Sequence, residues 1–506
     1  MGSAYIMVVL GIILAKGIGF YRDIAFSGTF GTSVEADIYF QVFNIVNLIF
    51  AGIGVALSTL VIKNMNKAEN TGNEKAYVSS FIRKSFVAFC AVAATVAIFA
   101  EPLVRYVLLP GIAEESVSLA VSLMHIMALS LVFVVIAYIV SGVLQNEKVF
   151  FVTAIMSLPF NAVIILSLFI PNVSLTTVAI VTTIGWFLHI AILLPSFYKK
   201  GYGFFSKAKL LNKKKGANPE ILWIFISNMM YQLCFYTDRA FVSGTEGMAS
   251  TFSYASNIFV IIASIFVVAM STVFFPAISK NYEEGNIDYI NGLLRYMITV
   301  MVAIFVPFLL VVGVFGNDVI RLIYERGEFT SEATKAVSSI LFIYSLGVLG
   351  YICQELFNKI LYLAGKYKLC VLGTIGVICL NGLSNVLISK FVPDTMHPSV
   401  GLSTQNILIA LSSSVYLLLY AVLIAWAIKK VIGPYWKKDL LCDIAKILVC
   451  AVFALAVYIA FNTFLPGFTH GKLTFVIPLC ACGIVYLAGM YASGVLLKLI
   501  KRKGTE

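Results

Sequence analysis

Lys16, Arg22 and Asp23 share one long apolar segment near the start of the chain. An ionised side chain at the centre of a membrane helix costs about 2.5–3.5 kcal/mol, so residues of this kind face a wet cavity or a partner. Lys16 and Asp23 are two helical turns apart on nearly one face, with Arg22 about 100° round. Arginine offers planar bidentate donors and lysine a point charge, a pairing suited to a pyrophosphate, with Asp23 fixing the guanidinium. The plainer reading is that all three lie near a membrane surface and snorkel. A second polar group is spread over later apolar segments. Asp238 and Arg239 are adjacent, Asn381 and Asn385 are one turn apart on one helix face, and Thr404 opens the following helix. One carboxylate with amide and hydroxyl oxygens forms either a small cation site (or a proton carrier at Asp238) or a structural hydrogen-bond knot, worth about 1 kcal/mol or less per bond.

The two groups are linked by a repeat. Phe20-Tyr21-Arg22-Asp23-Ile24-Ala25-Phe26 returns as Phe235-Tyr236-Thr237-Asp238-Arg239-Ala240-Phe241, and Phe43-Asn44-Ile45 resembles Ser256-Asn257-Ile258. The polar, lysine-rich stretch between Lys199 and Glu220 separates the copies. The chain therefore divides into residues 1–197 with six spans, a basic linker 198–219, residues 220–430 with six more, and residues 431–506 with two. An even number of spans per half gives both copies the same orientation, so the halves should be related by a pseudo-twofold along the membrane normal.

Of 506 residues, 60% are hydrophobic and 12% charged, with mean hydropathy +0.96. Apolar stretches of spanning length recur throughout, so the expected fold is an all-α polytopic membrane protein with about fourteen transmembrane helices. The first apolar run leads into the charged motif without a small-residue cleavage site, so no cleavable signal peptide is expected. With residues at span ends counted in the loops they border, one set of alternate loops holds 24 of the 36 Lys/Arg and the opposite set six. The positive-inside rule then puts both termini in the cytoplasm, and topology accounts for the net charge of +12 without a nucleic-acid partner. The nine cysteines are scattered singly and read as small core residues. His125 and His189 stand alone on apolar helices and read as packed rather than liganding. Gly52-Ile53-Gly54 follows no strand and reads as a helix-packing element, not a phosphate loop. No nucleophile–base set or metal cluster is visible, so an enzyme is not expected. The outer segment Asp318–Phe329 is amphipathic and reads as a surface helix, followed by a helix capped by Thr330 or Ser331 with Glu332 in its first turn.

Several blocks in order resemble the MurJ (MviN) lipid II flippases: Lys16–Asp23, Phe30-Gly31, Ala36–Phe40, Asp238–Gly244, Phe275–Lys280, Ile320–Phe329, Gln354-Glu355-Leu356 and Tyr362–Gly365. The resemblance implies the multidrug/oligosaccharidyl-lipid/polysaccharide exporter fold, in which two lobes enclose a cavity that opens alternately to each side. It implies transport of undecaprenyl-pyrophosphate-linked disaccharide pentapeptide across the bacterial plasma membrane by a monomer. The last two helices would form a groove for the lipid tail. By position, Lys16, Arg22, Asp23, Asp37, Asn44, Arg239 and Asn257 would meet the substrate. Asp238, Asn381, Asn385 and Thr404 would hold a coupling ion, Na⁺ or H⁺, with no other cofactor. The chain departs from the family pattern at Val46–Phe50, where relatives carry paired arginines. It departs again at Asn257 and Lys16, which stand where arginine is common, and at Asn385, which replaces an acid. Fewer fixed cations would bind pyrophosphate less strongly. The rival readings are a flippase for another polyprenyl-linked oligosaccharide, a cation-coupled drug exporter and a non-transporting scaffold.

Overall fold

Long apolar runs broken by capping residues and glycines produce an almost wholly helical chain. The computed structural model describes residues 2–49, 74–205, 229–465 and 474–501, with positions 54, 57, 58, 60–62, 65, 223, 226 and 227. The basic run 206–222 and the Gly52-Ile53 pair lie outside the described residues. The principal helices are α1 (Gly2–Phe30), α2 (Val34–Ile49), α3 (Glu74–Ile98), α4 (Glu114–Ala128), α5 (Ser130–Asn146), α6 (Leu158–Leu168) and α7 (Leu175–Ala191). They continue with α8 (Met230–Val242), α9 (Met248–Glu283), α10 (Ile287–Tyr324), α11 (Ser331–Leu346), α12 (Val348–Leu363), α13 (Tyr367–Phe391), α14 (Thr404–Ile432), α15 (Lys438–Phe464), α16 (Val476–Ala492) and α17 (Val495–Lys501). A two-residue ribbon, Met396–His397 against Leu402–Ser403, precedes α14.

Side-chain oxygens set several helix starts. Ser174, Asn286, Thr330 and Ser403 each accept a backbone N–H three residues on, satisfying a donor that the helix itself cannot. Thr330 with Glu332 is the expected cap of α11. The surface helix expected at Asp318–Phe329 is not separate: α10 runs unbroken to Tyr324, through Asp318 and Arg321. Its apolar periodicity continues without a stop signal, so chain continuity prevails over the amphipathic pattern. Helices α11 and α12 meet at a 44° bend at Gly347, where a Cβ would meet the backbone of Ser414.

Among the described residues, nine helices are long and apolar enough to cross a bilayer, and ten if the bent pair is one span. Many large apolar side chains lie on the outside, including Leu14, Phe99, Leu372 and Val422. So much exposed apolar surface requires hydrocarbon around it, and the protein is a multi-pass membrane protein. Cys379, Cys442 and Cys480 share this exposed surface, whereas Cys234, Cys370 and Cys450 are the buried core residues expected.

The chain forms two compact units. The first comprises residues 1–232, 239–250 and 326–329, and the second 233–238, 251–325 and 330–506. In the first, Val78, Ile82, Val135, Ile139, Val143 and Phe197 pack as one core. In the second, Ile447, Ala451 and Ala454 of α15 pack with Tyr486 and Met490 of α16. The two short segments that join the first unit do so through tight backbone approaches. Gly247 (φ +76°) lies against the Thr32 carbonyl, and Gly327 (φ +55°) against the Gly28 carbonyl, which also accepts the Glu328 N–H at 3.0 Å. A side chain at either glycine would collide with backbone in a conformation it resists anyway.

Candidate functional site

In the first unit, Arg22 is the centre of a cradle built by α1, α2 and α6. Its Nε and Nη2 donate to Asp23 Oδ1 at 3.0 and 2.6 Å, and Nη1 donates to Asn161 Oδ1 at 3.1 Å. Asn161 Nδ2 donates to the Ser157 carbonyl at 2.9 Å, which fixes its oxygen as the face turned to Arg22. The Phe43 and Phe160 rings lie 5.3 and 5.6 Å from the guanidinium carbon, near enough for cation–π attraction. The Arg22 and Asp23 side chains are 15% and 8% exposed, enclosed enough to strengthen charge interactions yet still accessible. The guanidinium is thus held in plane and direction before any ligand arrives. A doubly anionic group would exchange with, or share, the place of the Asp23 carboxylate.

The other residues expected at this site have different surroundings. Lys16 is exposed two turns back on α1, and Asn44 follows Phe43 on α2 with its Nδ2 buried and without a hydrogen-bond partner among the described residues. Asp37 is engaged by backbone. It accepts the Gly247 and Ser250 N–H groups at 2.8 and 2.5 Å, capping the start of α9, where negative charge suits the helix dipole. Asp37 thus has a capping role here, apart from the Arg22 cradle. Arg239 is buried in the first unit, and Asn257 is half-buried on α9 in the second.

The second centre surrounds Asp238 on α8. Oδ2 accepts from Tyr344 Oη at 3.0 Å and Ser413 Oγ at 2.6 Å, and Oδ1 from Asn385 Nδ2 at 2.9 Å and Asn381 Nδ2 at 3.5 Å. Asn381 Nδ2 also donates to Ser412 and Ser413 at 3.1 and 3.0 Å, while Ser412 Oγ donates to Asn385 Oδ1 at 2.9 Å. Thr237 Oγ1 donates to Asn381 Oδ1 at 2.8 Å. Asp238, Asn381, Asn385, Tyr344 and Ser413 are wholly buried. Thr404 is not among them. It stands at the first position of α14, bonded to the Thr395 carbonyl and His397, about 12 Å along the helix from Ser412. Its place is taken by Ser412 and Ser413, two turns deeper. The groups turned to the carboxylate are donors, two carboxamide N–H groups and two hydroxyls, so a cation would be held here only with the carboxamides turned to present their oxygens.

A family model described as "Lipid II flippase MurJ" matches residues 26–479, nearly the whole described chain. The chain belongs to the MurJ lipid II flippase family. A probable lipid II flippase MurJ of Buchnera aphidicola subsp. Schizaphis graminum is 24% identical, with 99% of both chains covered. That of Borreliella burgdorferi is 25% identical over 70% of this chain and 71% of the relative. A solved lipid II flippase MurJ in its inward closed conformation superposes with TM-score 0.77 at 22% identity, over 97% of this chain and 99% of the other. An inward-facing multidrug MATE transporter of the MOP superfamily gives 0.60 at 13% identity, covering 84% and 98%. The MurJ fold and its wider transporter architecture are therefore present here.

Sequence reasoning missed Asn161, Phe160, Tyr344, Ser412 and Ser413. An asparagine two residues after a proline in an apolar helix was the signal for Asn161. The triple serine Ser412-Ser413-Ser414 inside an otherwise apolar span was the signal for the second centre. His189 is packed as expected, stacked on Phe160 and tilted against Trp186.

Proposed function

We propose that this protein moves lipid II, the undecaprenyl-pyrophosphate-linked peptidoglycan precursor, from the inner to the outer leaflet of a bacterial plasma membrane. Both termini lie in the cytoplasm, on the side of the lysine-rich loops. The observation that carries the reading is the Arg22 cradle, in a chain of the MurJ family. A preorganised guanidinium, held by Asp23 and Asn161 and flanked by two aromatic rings, is suited to a pyrophosphate. The chain does its work by binding and reorienting rather than by covalent chemistry. Arg22 engages the pyrophosphate with Lys16 adding charge from the same helix, and rocking of the two lobes exposes the headgroup on the far side.

The prenyl tail stays in an apolar groove. Pro307, Leu310 and Phe315 of α10, Ala454 and Tyr458 of α15 and Leu479 of α16 line an apolar pocket in the second unit, which supports this placement. Asp238, Asn381, Asn385 and Ser413 hold the coupling cation, Na⁺ or H⁺, whose binding neutralises the buried carboxylate and biases one state over the other.

Leaflet exchange in proteoliposomes tests the proposal. Intact lipid II should cross in wild type and not in Arg22→Ala, while the same lipid without its pentapeptide should cross more slowly. Equal rates for both lipids would reassign the protein to a broader lipid-linked oligosaccharide flippase. Transport of neither by folded protein would refute the reading.

A further inference from the structure

The connection between α14 and α15 carries chemistry that the transport cycle does not use. Lys429, Lys430, Lys437 and Lys438 are all exposed, and the segment Trp426–Lys438 contains no acid; Asp439 follows it. Trp426 and Trp436, at 56% and 47% exposure, flank these lysines. The Lys430 ammonium sits 3.5 Å above the centroid of the Trp426 ring.

Beneath this surface the backbone is pinned. Tyr435 is wholly buried and donates to the Ala425 carbonyl at 3.0 Å, folding the connection back on α14. Asn291 of α10 donates to the Ile432 carbonyl at 3.1 Å, and Gly433 (φ +80°) makes the turn that leaves both lysine pairs outside. Four cations and two indole rings are therefore presented on a short, fixed turn at the end of two membrane helices.

We propose that this turn is a binding site for the headgroup of an anionic phospholipid in the bordering leaflet. The two lysine pairs engage the phosphate, and the tryptophans lie at the headgroup level with the acyl chains along the exposed Val422 and Leu441 side chains. Charge decides the occupant: a zwitterionic headgroup offers no net charge to four ammonium groups.

The test uses the full chain in phosphatidylcholine vesicles doped with either brominated phosphatidylglycerol or brominated phosphatidylcholine. The patch emission is the tryptophan fluorescence of wild type minus that of Trp426→Phe/Trp436→Phe. Brominated phosphatidylglycerol should quench it at a several-fold lower mole fraction. Replacing all four lysines by glutamine should abolish that preference. Arginine at all four positions should preserve it. A Lys429→Gln/Lys437→Gln pair gives an intermediate reading should the fourfold variant fold poorly. Equal quenching by the two lipids, or a preference that survives the glutamine variants, would overturn the assignment.

Discussion

Arg22 and Asp238 occupy two copies of one seven-residue motif, Arg22 in the first unit and Asp238 in the second, and their surroundings differ. In both copies the third residue donates to the side-chain oxygen of an asparagine far along the chain: Arg22 to Asn161, Thr237 to Asn381. In both, the aspartate comes next. Where the third residue is arginine, Asp23 is bound by its neighbour and the centre keeps a cation at 15% exposure. Where it is threonine, Asp238 is closed in by the neutral donors Tyr344, Ser413, Asn385 and Asn381. The copies differ at two positions, Arg22 against Thr237 and Ile24 against Arg239, and the first of these decides whether the aspartate is held by a guanidinium or by neutral donors.

The largest effect on this comparison should come from Asp238→Ala. It strips the shared acceptor from four buried donors and should lower stability by about 3 kcal/mol, read as a fall in the denaturation midpoint. Asp238→Asn should destabilise less, yet it should abolish any dependence of stability on Na⁺. Next, Arg22→Ala should reduce lipid II exchange about 100-fold while the fold survives, because the buried Asp23 charge loses its partner along with the substrate's. Arg22→Lys should fall between, since an ammonium keeps the charge without the planar fork.

Asn161→Leu should weaken substrate binding about tenfold by freeing the guanidinium to turn, with a melting point close to wild type. Asp37→Asn should cost about 1 kcal/mol of stability through the cap of α9, without changing affinity for the pyrophosphate. Thr404→Ala should alter stability by less than about 0.5 kcal/mol and leave ion dependence intact, whereas Ser413→Ala should not. Ion dependence lost in Thr404→Ala and kept in Ser413→Ala would reverse the assignment made here.

The spans, the repeat and the residues Arg22, Asp23, Asp238, Asn381 and Asn385 were legible because charge and amide groups inside apolar helices are costly and therefore conspicuous. Thr404 was misplaced for a reason of depth. Its hydroxyl type suited the site, but α14 begins at that residue, so it belongs at the helix end and not in the middle. Asp37 was read as a ligand because sequence shows a carboxylate and not the backbone N–H groups that fold back upon it. Asn161 and Tyr344 were missed because the partner of each lies more than 100 positions away.

Binding of undecaprenyl pyrophosphate and undecaprenyl monophosphate to wild type, Arg22→Lys and Arg22→Ala tests the central claim most directly. A cradle built for a pyrophosphate predicts tighter binding of the diphosphate in wild type, a reduced margin in Arg22→Lys and no margin in Arg22→Ala. Equal affinity for the two lipids in wild type, or an unchanged margin in Arg22→Ala, would contradict it.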